Sequence, residues 1–275
     1  MLMENEDDKR FFSSKVPEVT ALFWLVKVMG TTVGETSADL LSKELNLGLP
    51  LTTLIMASLL ALAFALQIRS KEYTPWKYWL TVILVSVVGT LITDNMTDNL
   101  QIPLIYSTVA FSLLLLLTFI LWHAREGTLS IHSIRTRRRE YFYWLTVLFT
   151  FALGTAGGDL LSEQVNFGYA ISGLLFASVI GLVALAFYVF KLDSIWSFWI
   201  AYILTRPLGA SCGDLLIQPA DASGIGYGSE GGLGFGLGPV NCVFFLGIVL
   251  AVATMEIRKK KVDSAALAAF ERKSE

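Results

Sequence analysis

Four segments of this chain align on one another without a gap, and this internal repeat restricts the fold more than any other feature. They are FWLVKVMGTTVGETSADLL from Phe23, YWLTVILVSVVGTLITDNM from Tyr78, YWLTVLFTFALGTAGGDLL from Tyr143 and FWIAYILTRPLGASCGDLL from Phe198. Each holds an aromatic residue, then Trp, then Gly ten residues on, then Asp five residues after that. The anchors are Trp24, Trp79, Trp144 and Trp199, then Gly34, Gly89, Gly154 and Gly209, then Asp39, Asp94, Asp159 and Asp214. Successive Trp positions differ by 55, 65 and 55 residues, so the two halves are offset by 120.

Each segment is followed by a second apolar run, and these runs are of membrane-crossing length. About 20 apolar residues cross the ~30 Å hydrocarbon core as a helix. Of the 275 residues 54% are hydrophobic and 16% charged, against about a quarter charged in a soluble domain. The spans read as 20–42, 49–68, 76–98, 102–122, 142–163, 167–190, 196–217 and 237–256. The expected fold is all-α, a polytopic membrane protein with eight transmembrane helices from four tandem two-helix repeats. Residues 1–15 are expected to be a cytoplasmic tail, 16–256 the transmembrane domain and 257–275 a second tail. The repeats fall at about 16–70, 71–125, 136–190 and 191–256. Met1 to Arg10 is acidic and polar, so no cleavable signal peptide is expected.

Basic residues choose the orientation. Lys9, Arg10 and Lys15 precede the first span, Arg69, Lys71 and Lys77 separate the second and third, and Arg125 and Arg135 to Arg139 separate the fourth and fifth. Lys191 follows the sixth, Arg258 to Lys261 follow the eighth, and the opposite loops hold Lys43. The positive-inside rule then places both termini in the cytoplasm. Two-helix units share one orientation, so a pseudo-symmetry axis would run along the membrane normal. The repeated Trp falls in the cytoplasmic aromatic belt, and the repeated Asp, 15 residues further, lies about 22 Å outward.

The first span carries a polar stripe, Lys27, Thr31, Glu35 and Asp39, at i,i+4 spacing. The third carries Ser86, Thr90, Asp94 and Asp98, the fifth Thr155, Asp159 and Glu163, the seventh Tyr202, Arg206 and Asp214. The even spans are apolar nearly all round, which suits an outer layer around four polar-lined odd helices. Ionisable groups inside a bilayer are costly and mark function. Lys27 is near enough to Trp24 to snorkel, whereas Arg206 is the stronger candidate for a buried counter-ion. Pro207 is expected to kink the seventh helix. Glycines near the acids, such as Gly30, Gly157, Gly158 and Gly213, favour close helix packing. The segment Thr93 to Asn99 is rich in oxygen ligands, which suit Mn, Mg or Ca rather than Zn. Cys212 and Cys242 read as small packing residues, with a disulfide or soft-metal pair as the alternatives. The glycine-rich stretch 218–239 reads as a mobile external loop.

The opening KVPEVTALFWLVKVMGTTVGETSADLL and the later GGLGFGLGP resemble a bacterial four-repeat family of uncharacterised membrane-anchored proteins, with two spans and a recurring Trp per repeat. The resemblance covers residues 15–256 and implies the architecture and a multi-pass place in a bacterial inner membrane. It implies no activity, so no functional residue is carried over from it. The third span departs from the others, with Asn95-Met96 where the other copies have paired Leu after Asp.

The residues point to a secondary transporter or exporter of a cation, with a divalent metal as one substrate class. Its metal ligands would come from Glu35, Asp39, Asp94, Asp98, Asp159 and Asp214, and its pathway from Lys27, Thr31, Thr90, Thr155 and Arg206. The alternatives are a non-transporting scaffold or sensor and a carrier of a small organic solute. The expected partners are the lipid bilayer and an inorganic cation or proton. A homo-oligomer stays open, and no nucleic acid is expected. No phosphate-binding loop, catalytic triad or zinc spacing occurs, so no enzymatic activity and no catalytic residue are expected.

Overall fold

The computed structural model describes residues 14–219, 223–226 and 237–274. The tail with Lys9 and Arg10 and the glycines Gly231, Gly232, Gly234 and Gly236 lie outside the described residues.

Local signals set the helix starts. Thr20 caps α1 (Ala21–Asp39) by accepting from the Phe23 amide at 3.3 Å. Pro75 occupies the first turn of α3 (Pro75–Asp94), where its missing N–H is harmless. Thr136 caps α5 (Arg137–Asp159), and Asp193 caps α7 (Ser194–Ile217). Between these run α2 (Leu49–Arg69), α4 (Leu104–Glu126) and α6 (Gly168–Phe190), and α8 (Leu237–Ser274) ends the chain. After their repeated Asp, α1, α3 and α5 each widen into one π-helical turn, Leu40–Glu44, Asn95–Asn99 and Leu160–Gln164. The chain then reverses through left-handed residues at equivalent positions, Asn46, Gln101 and Asn166, with φ of 57°, 55° and 62°. No strand occurs among the described residues.

The odd helices close a ring in the order α1, α3, α5, α7 and back to α1. Their aromatic ends meet one another, as do their Asp ends, so the four run in the same direction. Each even helix packs outside the odd helix of the next repeat: α2 on α3, α4 on α5, α6 on α7 and α8 on α1.

Glycine sets how tightly the ring closes. A Cβ on Gly34 would overlap Ser86, one on Gly89 Phe151, one on Gly154 Arg206 and one on Gly209 Thr31. Ser86, Phe151, Arg206 and Thr31 occupy one register position, eight residues after the leading aromatic of each repeat. Each repeat's glycine therefore receives the same position of the next repeat, and the fourth repeat receives the first. The glycines serve packing, as close helix approach requires. Gly158 makes further room beside Pro207, with a would-be Cβ 3.4 Å from the proline ring, and α7 stays one helix across that proline.

Seven helices among the described residues are long and apolar enough to cross a membrane. The apolar core of α6 is 6% buried inside the molecule and that of α3 61%, which divides an outer jacket from an inner ring. The exception is α1, which carries Lys27, Glu35 and Asp39 on 19 residues. Its polar groups face α3, α7 and α8 rather than the exterior.

The repeated Trp does not form an exposed belt. Trp79, Trp144 and Trp199 are buried among the helices, and Trp24 is half-buried. The tryptophans exposed at this end are Trp76 and Trp196. Lys15, one of the basic residues that precede the first span, is buried and paired with Glu140 at 2.6 Å. The eighth helix continues to Ser274, and Lys259 ties it to Glu72 at 3.2 Å. Both cysteines are free.

Gly209→Ala is expected to lower stability by about 1–3 kcal/mol, because the overlapped Thr31 is held inside the ring. Gly181→Ala on α6, where a Cβ meets open space, is expected to be neutral or to stabilise by up to about 1 kcal/mol. Thermal unfolding of both variants in one detergent checks this, and equal melting points would remove the glycine notch as the closing device.

Candidate functional site: a layered polar interior with an acidic vestibule

Because the inner faces repeat at i,i+4, the ring interior is a stack of layers, each contributed by equivalent positions. The lowest is aromatic: Phe23, Tyr78, Tyr143 and Phe198, all buried. The Tyr78 and Tyr143 hydroxyls meet at 2.5 Å, and Phe23 lies against Phe198 and Tyr202 with centroids 6.1 and 6.4 Å apart. This plug closes one end of the ring.

One turn above, Lys27 is fully buried. Its Nζ lies 4.1 Å from the Phe151 ring centroid and 4.2 Å from that of Tyr202, with no hydrogen-bond partner among the described residues. The amine lies between two π faces and does not snorkel to an interface, because the aromatic plug lies between it and that end.

Arg206, also fully buried, is the centre of the next layers. Its Nη2 lies 2.6 Å from Glu35 Oε2 and 2.7 Å from Thr155 Oγ1, and it also contacts Thr90 Oγ1. Glu35, Thr90 and Thr155 each directly follow the repeated glycine, so three repeats aim equivalent side chains at one guanidinium from the fourth. The fourth repeat has Ala210 at that position and supplies Arg206 from one turn earlier. Thr31 lies 3.2 Å from the Thr205 carbonyl and helps to seat this turn of α7. Arg206 is the buried counter-ion the sequence suggests, and its partner is Glu35.

Above Arg206 the ring opens into a cavity of about 150 Å³, lined by Glu35, Asp39, Asp94, Asp159 and Asp214 with Asp98, Glu163 and Lys43 also on the wall. At ~30 Å³ per water this is room for about five waters or a small hydrated ion. Asp39 pairs with Lys43 at 2.7 Å and lies 3.4 Å from the Gln218 amide. Glu163 accepts from Tyr169 at 3.0 Å. Asp94, Asp159 and Asp214 have no hydrogen-bond or ion-pair partner among the described residues, and Asp214 is only 6% exposed.

The four repeated Asp residues thus share one cavity without forming a coordination sphere. Among the described residues no group of three or more His, Cys, Asp or Glu is placed to hold a metal ion. The oxygen-rich segment after Thr93 builds its own turn instead. Asn95 donates to the Leu91 carbonyl at 2.6 Å and to Thr53 at 2.8 Å, Asn99 donates to Asn95 at 2.8 Å, and Asp98 is exposed.

Sequence reasoning passes over Phe151, Tyr78 and Tyr143 because it follows polar residues alone. Each continues the same i,i+4 column, and that register is the signal that finds them. It also passes over Glu140, whose carboxylate receives Lys15 and lies 3.4 Å from the Gln67 amide beside the plug.

A family model described as Repeat of Unknown Function (DUF347) matches four times, at residues 22–73, 77–128, 142–193 and 197–261. No curated protein and no solved structure matches the chain.

Arg206→Met would strand Glu35 in the ring interior and is expected to destabilise by about 3–5 kcal/mol. Adding Glu35→Gln is expected to recover most of that loss, whereas Lys27→Met, which orphans no partner, is expected to leave stability unchanged or raised. Thermal unfolding of the three variants is the check. Additive losses in the double variant would show that the pair is not the pin of the ring.

Proposed function

The chain belongs to the DUF347 repeat family, and from that premise we propose that it is a secondary transporter of a small cation, with eight spans, both termini in the cytoplasm and a symmetry axis along the membrane normal. A bacterial inner membrane is the proposed site. The observation that carries the reading is the convergence of Asp94, Asp159 and Asp214, without an ion-pair partner among the described residues, on one cavity floored by Glu35. Carboxylates with restricted water attract a cation far more strongly than surface acids do.

In this orientation the vestibule opens outward and the aromatic plug closes the cytoplasmic side. Glu35 belongs to both halves of the device, since it lines the vestibule and holds Arg206. A cation in the vestibule competes with Arg206 for Glu35 and so loosens the pin that joins the four helices. That competition links occupancy to helix rearrangement, as a differential interaction must. Protons compete for the same carboxylates, so cation binding falls as the external pH is lowered. That no three acids among the described residues are placed to hold a metal ion favours a hydrated or organic cation over a divalent metal stripped of water.

A scaffold or sensor also needs an internal pin such as Arg206–Glu35. Arg206→Gln separates the two readings: a scaffold loses stability alone, whereas a transporter changes flux or selectivity. In proteoliposomes tested with alkali, Mg²⁺, Ca²⁺, Mn²⁺ and quaternary ammonium cations, the wild type is expected to move at least one of them. Asp159→Asn and Asp214→Asn are expected to lower that flux at least about tenfold, the ~1.4 kcal/mol or more that a lost charged contact represents. Asp98→Asn, on the exposed rim, is expected to change it little. Flux of no cation, or flux indifferent to Asp159 and Asp214, overturns the proposal.

A further inference from the structure

The pseudo-fourfold symmetry extends to the jacket, where it breaks at one place. Three of the even helices reach the Trp two repeats on. Phe64 of α2 meets Trp144 edge-on with centroids 6.2 Å apart, and Phe119 of α4 meets Trp199 at 5.2 Å. On α8, Met255 fills the slot, with its Sδ 3.2 Å from Trp79 Nε1. The fourth slot belongs to α6 and Trp24. The residue equivalent to Phe64 and Phe119 is Ala184, by the same offsets of 55 and 65 residues that relate the Trp anchors.

Where the ring is missing there is a pocket of about 710 Å³, lined by both Ala184 and Trp24. That is the size of an ordinary small-molecule site. A second departure from symmetry meets it. The linker between the second and third repeats holds the ten residues that lengthen one Trp spacing from 55 to 65, and its Leu129 to His132 form a wall of the pocket. Two irregularities of the repeat therefore build one opening at the aromatic end of the ring.

We propose that this pocket holds one lipid of the bilayer, its hydrocarbon chain against Trp24 and its amine-bearing headgroup at Glu18. The interface it would extend is already present, since apolar groups fill the three equivalent slots from the outer helices. α6, which forms one wall, has the most exposed apolar core of the membrane-length helices described. Charge complementarity sets the headgroup. Glu18 supplies a carboxylate, and no Lys or Arg is among the described lining residues, so an ethanolamine or choline headgroup fits and an anionic glycerol headgroup does not. The pocket is separated from the vestibule by the aromatic plug, so the inference rests on the membrane reading and not on cation transport.

The test uses the full chain in vesicles of phosphatidylethanolamine or phosphatidylglycerol with brominated acyl chains, which quench tryptophan on contact. Wild-type emission is expected to be quenched more by the brominated ethanolamine lipid. Ala184→Phe, which restores the side chain of the equivalent slots, is expected to remove that excess, and Leu182→Phe on the exposed face of α6 to leave it. Trp24→Phe, which keeps the pocket but deletes the more exposed of its two lining tryptophans, Trp24 and Trp199, is expected to remove most of that excess and covers the case in which Ala184→Phe does not fold. Equal quenching in wild type, Trp24→Phe and any folded Ala184→Phe overturns lipid occupancy, and equal quenching by the two headgroups overturns the amine assignment. Cation flux absent from every variant would leave this result standing.

Discussion

The ring depends on a side chain entering a glycine notch on the neighbouring helix, four times over. Thr31, Ser86, Phe151 and Arg206 stand at one register position, and each lies where a Cβ on the preceding repeat's glycine would be. The backbones therefore approach closely enough for side chains of all four odd helices to reach the axis. In a bilayer the apolar exterior gives helices little reason to separate from lipid, so close packing and internal polar contacts do most of the associating. Only glycine allows this approach, and the polar contacts at the axis follow from it.

Closeness explains how such a polar interior is tolerated. Lys27 and Arg206 are fully buried, and their compensation comes from groups delivered by other repeats: the rings of Phe151 and Tyr202 for one, Glu35, Thr90 and Thr155 for the other. A single helix with the polarity of α1 could not face lipid. Enclosed by α3, α7 and α8, it faces lipid little, and the apolar burden passes to α2, α4, α6 and α8.

The architecture was legible because its determinants are periodic. The Trp, Gly and Asp registers give the repeat, the apolar runs give the helices to within a few residues, and the i,i+4 stripes give the inner faces. Long-range partners were not legible in the same way. Nothing local to Lys27 shows that Tyr78 and Tyr143 seal the space between it and the nearer end. Nothing local to Lys15 shows a carboxylate 125 positions away that buries it. The acids line one cavity, but their mutual distances depend on ring diameter. That diameter follows from the glycine notches rather than from the acids, which is why the ligand-rich sequence gives no metal site among the described residues.

Symmetry also indicates where to look for function. A ring of identical repeats would offer four equal environments. In this chain the exceptions are confined to a few positions. Arg206 replaces a small or apolar residue, Ala210 vacates the place where Glu35, Thr90 and Thr155 converge, Lys27 stands where two repeats have Val, and Ala184 stands where two have Phe. Lys27 is a polar group that orphans no partner when removed, Ala184 and Ala210 leave space that the fold could have filled, and Arg206 pins the ring through Glu35. Substitutions at Lys27 and Ala184 would interrogate function, whereas substitutions at the repeated glycines and at Arg206 would report on assembly as well.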